Sequence, residues 1–368
     1  MRLCARSALP AALALAAPAA FAQNQAPVLR QTFDADTEGW QAFSGRLSVT
    51  TDPALVKEGK GALKWEYNLA KGEFAFALLP TPNGALAKMK SLRFAVRTDH
   101  TTPVVAVLQE AAGGRYIALF TAPKDQWQEV ALAPEDFALS DGNDDPKDPN
   151  GQLDLERVEG LGIADLGTLF AQSDDPNVQN LLKIQMGPHV LCLDSLRVTE
   201  EPLPKGDAAA GNPIDTFTRP QLSWLGFGST RVTAASGAPL EGRGVRADYR
   251  QAPGAFVGLA RPVGRGLLAG TERLTLALAS LKPAKILIQL EETGGGKYNR
   301  VVDAEGASKL QKLDLAYTEF TPADDSKDAN NRLDPEAVKT VLIIDLTGVF
   351  GMGEGENALW IGSIRGAK

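Results

Sequence analysis

Histidine and cysteine are almost missing from this 368-residue chain, which has two of each. Cys4 lies ahead of an apolar N-terminal run, and only Cys192 stands beyond it. No intrachain disulfide can therefore brace the body of the protein, and a hydrophobic core must do so. His100 and His189 have no partner at metal-ligand spacing, and His100 sits in a Thr/Pro turn, so both are expected at the surface. Gly-x-Ser-x-Gly, His-Glu-x-x-His and a phosphate-binding loop are all absent. No two carboxylates are singled out as acid and base, so the expectation is a protein that is not an enzyme. Aromatic residues make up 7% of the chain; Trp40, Trp65, Trp127, Trp224 and Trp360 stand in apolar strand patterns or beside turns and are expected in the core. Acidic side chains outnumber basic ones, 45 to 38. That balance argues against nucleic acid, whose affinity rests on neutralised phosphates, and against an anionic membrane surface.

What is present begins with a leader. Arg2 and Arg6 precede an apolar Ala/Leu stretch over residues 8–19, and Ala20-Phe21-Ala22 has the small-x-small form of a signal-peptidase site. The stretch is shorter than the roughly 20 residues a membrane span needs. Residues 1–22 therefore read as a signal peptide, and the expected protein is exported, periplasmic or extracellular. Without them 36 basic and 45 acidic side chains remain, a net charge of −9. No second long apolar run follows, so the mature chain is expected to be soluble and without a transmembrane segment.

The body is written twice. Thr32-Phe33 recurs as Thr216-Phe217. Glu58-Gly-Lys-Gly-Ala-Leu-Lys-Trp-Glu-Tyr67 recurs as Glu241-Gly-Arg-Gly-Val-Arg-Ala-Asp-Tyr249. Glu110…Tyr116 answers Glu292…Tyr298, each six residues apart around a glycine pair or triple. Leu153-Asp154 answers Leu333-Asp334, and Asp165-Leu166 answers Asp345-Leu346. The offset drifts slowly from 184 to 180, as loop insertions would make it. Domains are placed at residues 28–199 and 213–366, joined by a Pro/Ala/Gly linker at 200–212 that is expected to be exposed.

Within each copy apolar residues alternate with period two. Leu63, Trp65 and Tyr67 oppose Lys64 and Glu66, and Val245, Ala247 and Tyr249 oppose Arg246 and Asp248; Leu92, Phe94, Val96 and Leu274, Leu276, Leu278 alternate likewise. Short runs of this kind between Gly, Pro, Asn and Asp clusters predict an all-β fold of two tandem antiparallel β-sandwich domains.

The order of segments resembles a known family. Phe33-Asp34…Gly39-Trp40 leads to a Gly-Lys-Gly strand, a central strand pair, Trp127-Gln-Glu-Val-Ala-Leu with Phe137, an Asp-rich run closing at Leu153-Asp154, and a last strand Leu193-Asp194-Ser-Leu-Arg-Val198. This is similar to the galactose-binding-like jelly rolls of the complex I intermediate-associated and family 11 carbohydrate-binding-module type, over residues 28–198 and more loosely 213–365. The resemblance implies a jelly-roll sandwich receiving a sugar chain on one sheet. It also implies a structural calcium ion shared by Asp34 and Asp194, with backbone carbonyls near residues 57–59. Thr218 and Gly362 stand in those two places in the second copy, so one ion is expected in the first copy and none in the second.

For a ligand face, Ala284–Glu292 and Lys297–Val302 read as a hairpin around a four-residue turn. If Glu292 pairs with Lys297, one face gathers Gln289, Glu291, Tyr298 and Arg300, groups that hydrogen-bond and stack on a sugar. The matching face of the first copy is Val107, Gln109, Tyr116 and Ala118. The acidic runs 141–154 and 324–334 lack an EF-hand's central glycine and closing glutamate and read as solvated loops. The expected partner is a polysaccharide or cell-surface glycan; the alternative is a cell-envelope protein held through the same sandwiches.

Overall fold

The computed structural model describes residues 28–111, 113–140, 147–173, 184–204 and 211–368. The expected signal peptide, the middle of the linker and residues 141–146 of the first acidic run lie outside the described residues. The first copy holds β1 (Leu29–Gln31), β2 (Gln41–Ala42), β3 (Arg46–Thr50), β4 (Ala62–Leu69), β5 (Phe76–Pro80), β6 (Ser91–Thr98), β7 (Thr102–Glu110), β8 (Arg115–Ala122), β9 (Gln128–Leu132), β10 (Ala138–Leu139), β11 (Val158–Asp165) and β12 (Gly187–Thr199). The second holds β13 (Asn212–Asp215), β14 (Leu225–Phe227), β15 (Arg231–Ser236), β16 (Arg243–Gln251), β17 (Val257–Pro262), β18 (Arg273–Ser280), β19 (Ala284–Glu292), β20 (Lys297–Ala304), β21 (Gln311–Ala316), β22 (Thr321–Pro322), β23 (Val338–Asp345) and β24 (Gly355–Ala367).

Two antiparallel sheets face each other in each copy. In the first, one sheet runs β3-β4-β12-β6-β9 with β1 also on β12, and the other runs β10-β8-β7-β11-β5-β2. Adding twelve to every label gives the second copy: β15-β16-β24-β18-β21 with β13 on β24, and β22-β20-β19-β23-β17-β14. The duplication seen in sequence is thus a duplication of topology, strand for strand.

The alternation decides which side of each strand faces inward. Leu63, Trp65 and Tyr67 are buried in the first core with Leu92, Phe94 and Val96, and Val245, Ala247 and Tyr249 in the second with Leu274, Leu276 and Leu278. Each such side chain contributes about 1.5–3 kcal/mol by leaving water. Trp40, Trp65 and Trp224 lie in the two cores. Trp360 instead packs with Leu240, Ala279 and Ala358 outside its sandwich core, beneath the Arg246 guanidinium 5.0 Å from its ring. Trp127 is half-buried and belongs to neither core.

Residues 219–224, entering the second copy, close the open edge of the first. Thr121 N donates to Leu222 O (2.9 Å) and Thr121 Oγ1 to Trp224 O (3.0 Å), beyond the point where the short β10 stops pairing with β8. The Gln221 amide grips the outer edge of β9 from both sides: Ala131 N donates to Gln221 Oε1 (3.1 Å) and Gln221 Nε2 to Ala131 O (3.0 Å), with Gln221 buried. Arg219 adds an ion pair to Asp136 at 3.2 Å. An exposed strand edge is thereby covered. The linker is not uniformly exposed either, because Leu203 is buried against Ala131 and Ala133. Gln221→Ala leaves a buried N–H and C=O unmet and is predicted to destabilise the chain by about 1–3 kcal/mol. Urea unfolding measures this, and a shift below about 0.3 kcal/mol would mean that the amide clamp contributes nothing.

Candidate functional site

The outward face of the β7/β11 sheet in the first copy is apolar. Ala77 and Leu79 of β5 point into the core, so Phe76 and Leu78 point out. They lie across β11 because two glycines leave room: a Cβ on Gly162 would sit 2.4 Å from the Phe76 ring, and one on Gly160 would sit 2.8 Å from Leu78. Val105, Val107 and Ala164 form the floor, with Phe76, Ile117 and Leu119 packed against it. Phe74 and Phe43 continue the row, with ring centroids 6.1 and 5.1 Å from that of Phe76. Phe43 is 67% exposed and Phe74 41%. Ile117 and Leu119 also border a cleft of about 590 Å³ between the two copies, where Asp136, Asp215, Arg219 and Arg261 line the walls.

The second copy reaches a similar surface by another route. Phe227 of β14 lies over Gly258 of β17, where a Cβ would come within 2.7 Å of its ring, and stacks on Phe256 at 5.4 Å. The rest of that face is mixed: Gln289 Nε2 donates to Asn299 Oδ1 (2.7 Å), Glu291 pairs in register with Lys297 and Lys285 holds Asp303 (2.7 Å), while Leu287 lies opposite the exposed Val301.

The expected register of this hairpin is off by one residue. Glu291, not Glu292, is opposite Lys297, and Leu290 is opposite Tyr298. The turn has five residues: Glu292 N donates to Gly296 O (2.8 Å) and Gly295 N to Glu292 O (3.0 Å). A one-residue slip moves every side chain of one strand to the other face. Gln289 and Glu291 remain outside, where Asn299 and Lys297 join them. Tyr298 turns into the core at 1% exposure, and Arg300 shares its side but escapes at the sheet edge toward Glu319 (3.5 Å). The same holds in the first copy: Gln109 is outside, beside Arg115 (3.3 Å), while Tyr116 and Ala118 are buried. Neither tyrosine can stack on a ligand.

The tyrosines act instead as latches for the acidic loops. Tyr116 OH donates to Asp148 and Tyr298 OH to Asp328. Beside them, Glu110 Oε1 accepts from Asp154 N and Glu292 Oε1 from Asp334 N, each at 2.6 Å. Asn150 ties to Asp154 (3.1 Å) and Asn330 to Asp334 (2.9 Å). Burial holds the Glu110 and Glu292 carboxyls above the ordinary carboxylate range.

Asp34 and Asp194 border one small cleft with Glu58 and Ser195, but their donor set does not fit a calcium ion. Asp194 Oδ2 accepts from Lys57 N (2.7 Å) and Glu58 N (3.0 Å), and Oδ1 accepts from Ser195 N (2.5 Å). Asp34 Oδ1 accepts from Lys60 N (2.5 Å), the contact that does most to hold its carboxyl below the usual range. Amide hydrogens, not carbonyl oxygens, are aimed at these carboxylates, whereas calcium takes six to eight oxygen ligands.

Nor are the histidines at the surface. His100 is 2% and His189 8% exposed, their rings stacked with centroids 3.7 Å apart. Sequence spacing could not show this, because β4 and β6 flank β12 and so bring residues about ninety positions apart to one rim. Burial works against the His100 imidazolium, but Asp165 and Asp99 outweigh it and raise its pKa.

No protein-family model and no curated protein matches the sequence. Among solved structures, the chain is similar to a family 11 carbohydrate-binding module from Clostridium thermocellum in complex with a β-1,3-1,4-mixed-linked tetrasaccharide, at 13% identity and a TM-score of 0.34 over 42% of this chain and 95% of that one. It is also similar to a CBM22-1–CBM22-2 tandem domain from Paenibacillus barcinonensis, at 12% identity and a TM-score of 0.29 over 95% of this chain and 99% of that one.

Two outcomes check this geometry. Tyr298→Ala removes a core side chain and is predicted to cost about 3–5 kcal/mol, whereas Asn299→Ala on the outer face stays within about 0.5 kcal/mol; chemical denaturation distinguishes them. Asp194→Ala removes a buried carboxylate that accepts from three backbone N–H groups and is predicted to lower the melting temperature equally with and without millimolar calcium. Calcium-dependent stabilisation that the variant loses would restore the metal assignment.

Proposed function

We propose that this chain is an exported, non-catalytic glycan-binding protein whose site is the outward face of the β7/β11 sheet. The observation that carries the reading is the row Phe43–Phe76–Phe74 along the β5/β2 side of the sheet, with Phe43 and Phe74 exposed and Phe76 half-buried between them. Sugar rings present apolar C–H faces that settle on aromatic rings, while their hydroxyls need hydrogen-bonding groups at the edge. Gln109 and Arg115 on the same face, and Asp136 and Arg219 in the adjoining cleft, supply such groups.

A second reading, contact with a cell-envelope protein, draws on the half-buried Ile117 and Leu119, which pack over Val105, Val107 and Ala164. Those residues offer no hydrogen bonds and match the apolar centre of a protein interface.

Affinity electrophoresis through soluble polysaccharides, with a glycan array alongside, tests the first reading. Phe76→Ala and Gly162→Leu, which displaces the Phe76 ring, are each predicted to weaken binding at least about tenfold, as loss of one stacked ring requires, while Phe256→Ala in the second copy changes it little. Binding that survives both changes, or no binding to any glycan together with capture of an envelope protein that Phe76→Ala abolishes, would favour the second reading.

A further inference from the structure

At the rim of the first sandwich, the β6–β7 turn and the start of β12 bring Asp99, His100 and His189 together. Their ligand atoms all lie within 4.8 Å of one another. His100 Nδ1 is 2.8 Å and His189 Nδ1 3.3 Å from the same oxygen, Asp99 Oδ1. The opposite nitrogens are both committed as donors. His189 Nε2 is 2.6 Å from Gln185 O, and a carbonyl can only accept, so that nitrogen carries hydrogen. His100 Nε2 is 3.1 Å from Asp165 Oδ2, whose carboxylate also accepts from Tyr67 OH, Thr102 Oγ1 and Gly167 N. Flipping either ring would put a carbon against these acceptors. Two neutral rings held this way aim two lone pairs at a carboxylate oxygen with no donor among the three.

We infer that a zinc-class transition-metal ion occupies this convergence, bound by His100 Nδ1, His189 Nδ1 and an Asp99 carboxylate oxygen. Four features support it. Imidazole and carboxylate are the ligand set such ions prefer. A tetrahedral site with bonds of about 2.0–2.1 Å separates its ligand atoms by about 3.3 Å, against 3.3 Å and 2.8 Å from the His189 and His100 Nδ1 atoms to Asp99 Oδ1. Metal-bound histidines hold their second N–H on a carboxylate or carbonyl, as Asp165 and Gln185 O do here. The Asp99 side chain is 40% exposed while both rings are buried, which leaves an approach and a fourth position on the solvent side. The rival solution is a proton: an imidazolium at His100, which Asp165 and Asp99 favour, would donate Nδ1–H to Asp99 Oδ1, and only protonation of both rings would place two like charges 3.7 Å apart in a buried rim. The second copy carries Leu281, Lys282 and Asn357 in these places, so the inferred stoichiometry is one ion per chain.

The test is calorimetric titration of zinc chloride into the purified full chain after chelator treatment and desalting. One saturable site per chain is expected, with His189→Asn and Asp99→Ala each weakening it at least about tenfold. Asn357 occupies the matching position of the folded second copy, so His189→Asn is expected to keep the fold, which circular dichroism checks. In parallel, nitrogen NMR of the two histidines is expected to show Nε2–H tautomers whose Nδ1 resonances shift on zinc addition, a readout independent of the variants. No saturable binding, binding by both variants as tight as by the unaltered chain, or a doubly protonated His100 indifferent to zinc would overturn the inference.

Discussion

One buried phenol sets the register of the central hairpin in each copy. Tyr116 and Tyr298 turn their rings into the core and must still find acceptors for their hydroxyls, because an unmet buried hydroxyl costs about 1–3 kcal/mol. The acceptors are Asp148 and Asp328, on the acidic loops. Each loop is held a second time by a buried glutamate at the other end of the same turn, Glu110 or Glu292. The hairpin cannot slip without exposing the ring, breaking the phenol's bond and releasing the loop. Every outward residue of β7, β8, β19 and β20 follows from that lock, and so does the choice between a polar and an apolar surface. The Glu…Tyr and Leu-Asp matches that reveal the duplication in sequence are therefore two ends of one device.

The rims of the two sandwiches show how far identical topology allows different chemistry. Asp165 and Asp345 end β11 and β23, and each accepts an N–H two residues on, from Gly167 or Thr347. Each also takes a tyrosine hydroxyl at 2.6 Å, from Tyr67 or Tyr249. The remaining acceptor capacity is met differently. Gln251 Nε2 donates to Asp345 (2.8 Å), while Asn357 completes the second rim through the Tyr249 hydroxyl (3.1 Å). His100 and His189 take the corresponding space in the first. An amide pair satisfies a buried carboxylate network internally; an imidazole pair brings extra nitrogens that point past it. Only the first rim therefore has ring nitrogens left to meet at Asp99.

Much of this was legible in the sequence because it depends on local alternation. Period two in Leu63–Tyr67 and Val245–Tyr249 determines which face is core whatever the strand's neighbours, and the repeated order of segments gives two sandwiches. Register is different: it depends on turn length, and the three glycines at 294–296 accommodate four or five residues equally well. The read-through from Glu292 to Lys297 therefore put Tyr298 and Arg300 on the wrong face while leaving Gln289 and Glu291 on the right one. The histidine rim was illegible because it is made by β12 lying between β4 and β6. The phenylalanine row was illegible because the residues best suited to stacking, the tryptophans, lie elsewhere: three in the cores, Trp360 in a covered outer patch and Trp127 half-buried outside both cores.

The duplication does not extend to the outward aromatics, for a physical reason. In the first copy the ring belongs to β5 (Phe76) and lies over a glycine of β11; in the second it belongs to β14 (Phe227) and lies over Gly258 of β17. By strand register, Phe76 and Gly258 are equivalent positions, as are Gly162 and Leu342. A large side chain lying across a neighbouring strand is accommodated where that strand has no Cβ, and the need is met on opposite sides of the same strand: β5 sends its ring over a glycine of β11, whereas its counterpart β17 supplies the glycine beneath a ring from β14. Exchanging which strand supplies the ring keeps the packing and shifts the aromatic surface by one strand. The two sandwiches thus preserve a requirement and not a residue, and their outer faces are free to diverge: largely aromatic and aliphatic in the first copy, and shared among aromatic, aliphatic and charged groups in the second. In the first copy the phenylalanine row lies along the β5/β2 side of the sheet, whereas Ile117 and Leu119 of β8, at the edge that residues 219–224 close, border the cleft between the copies.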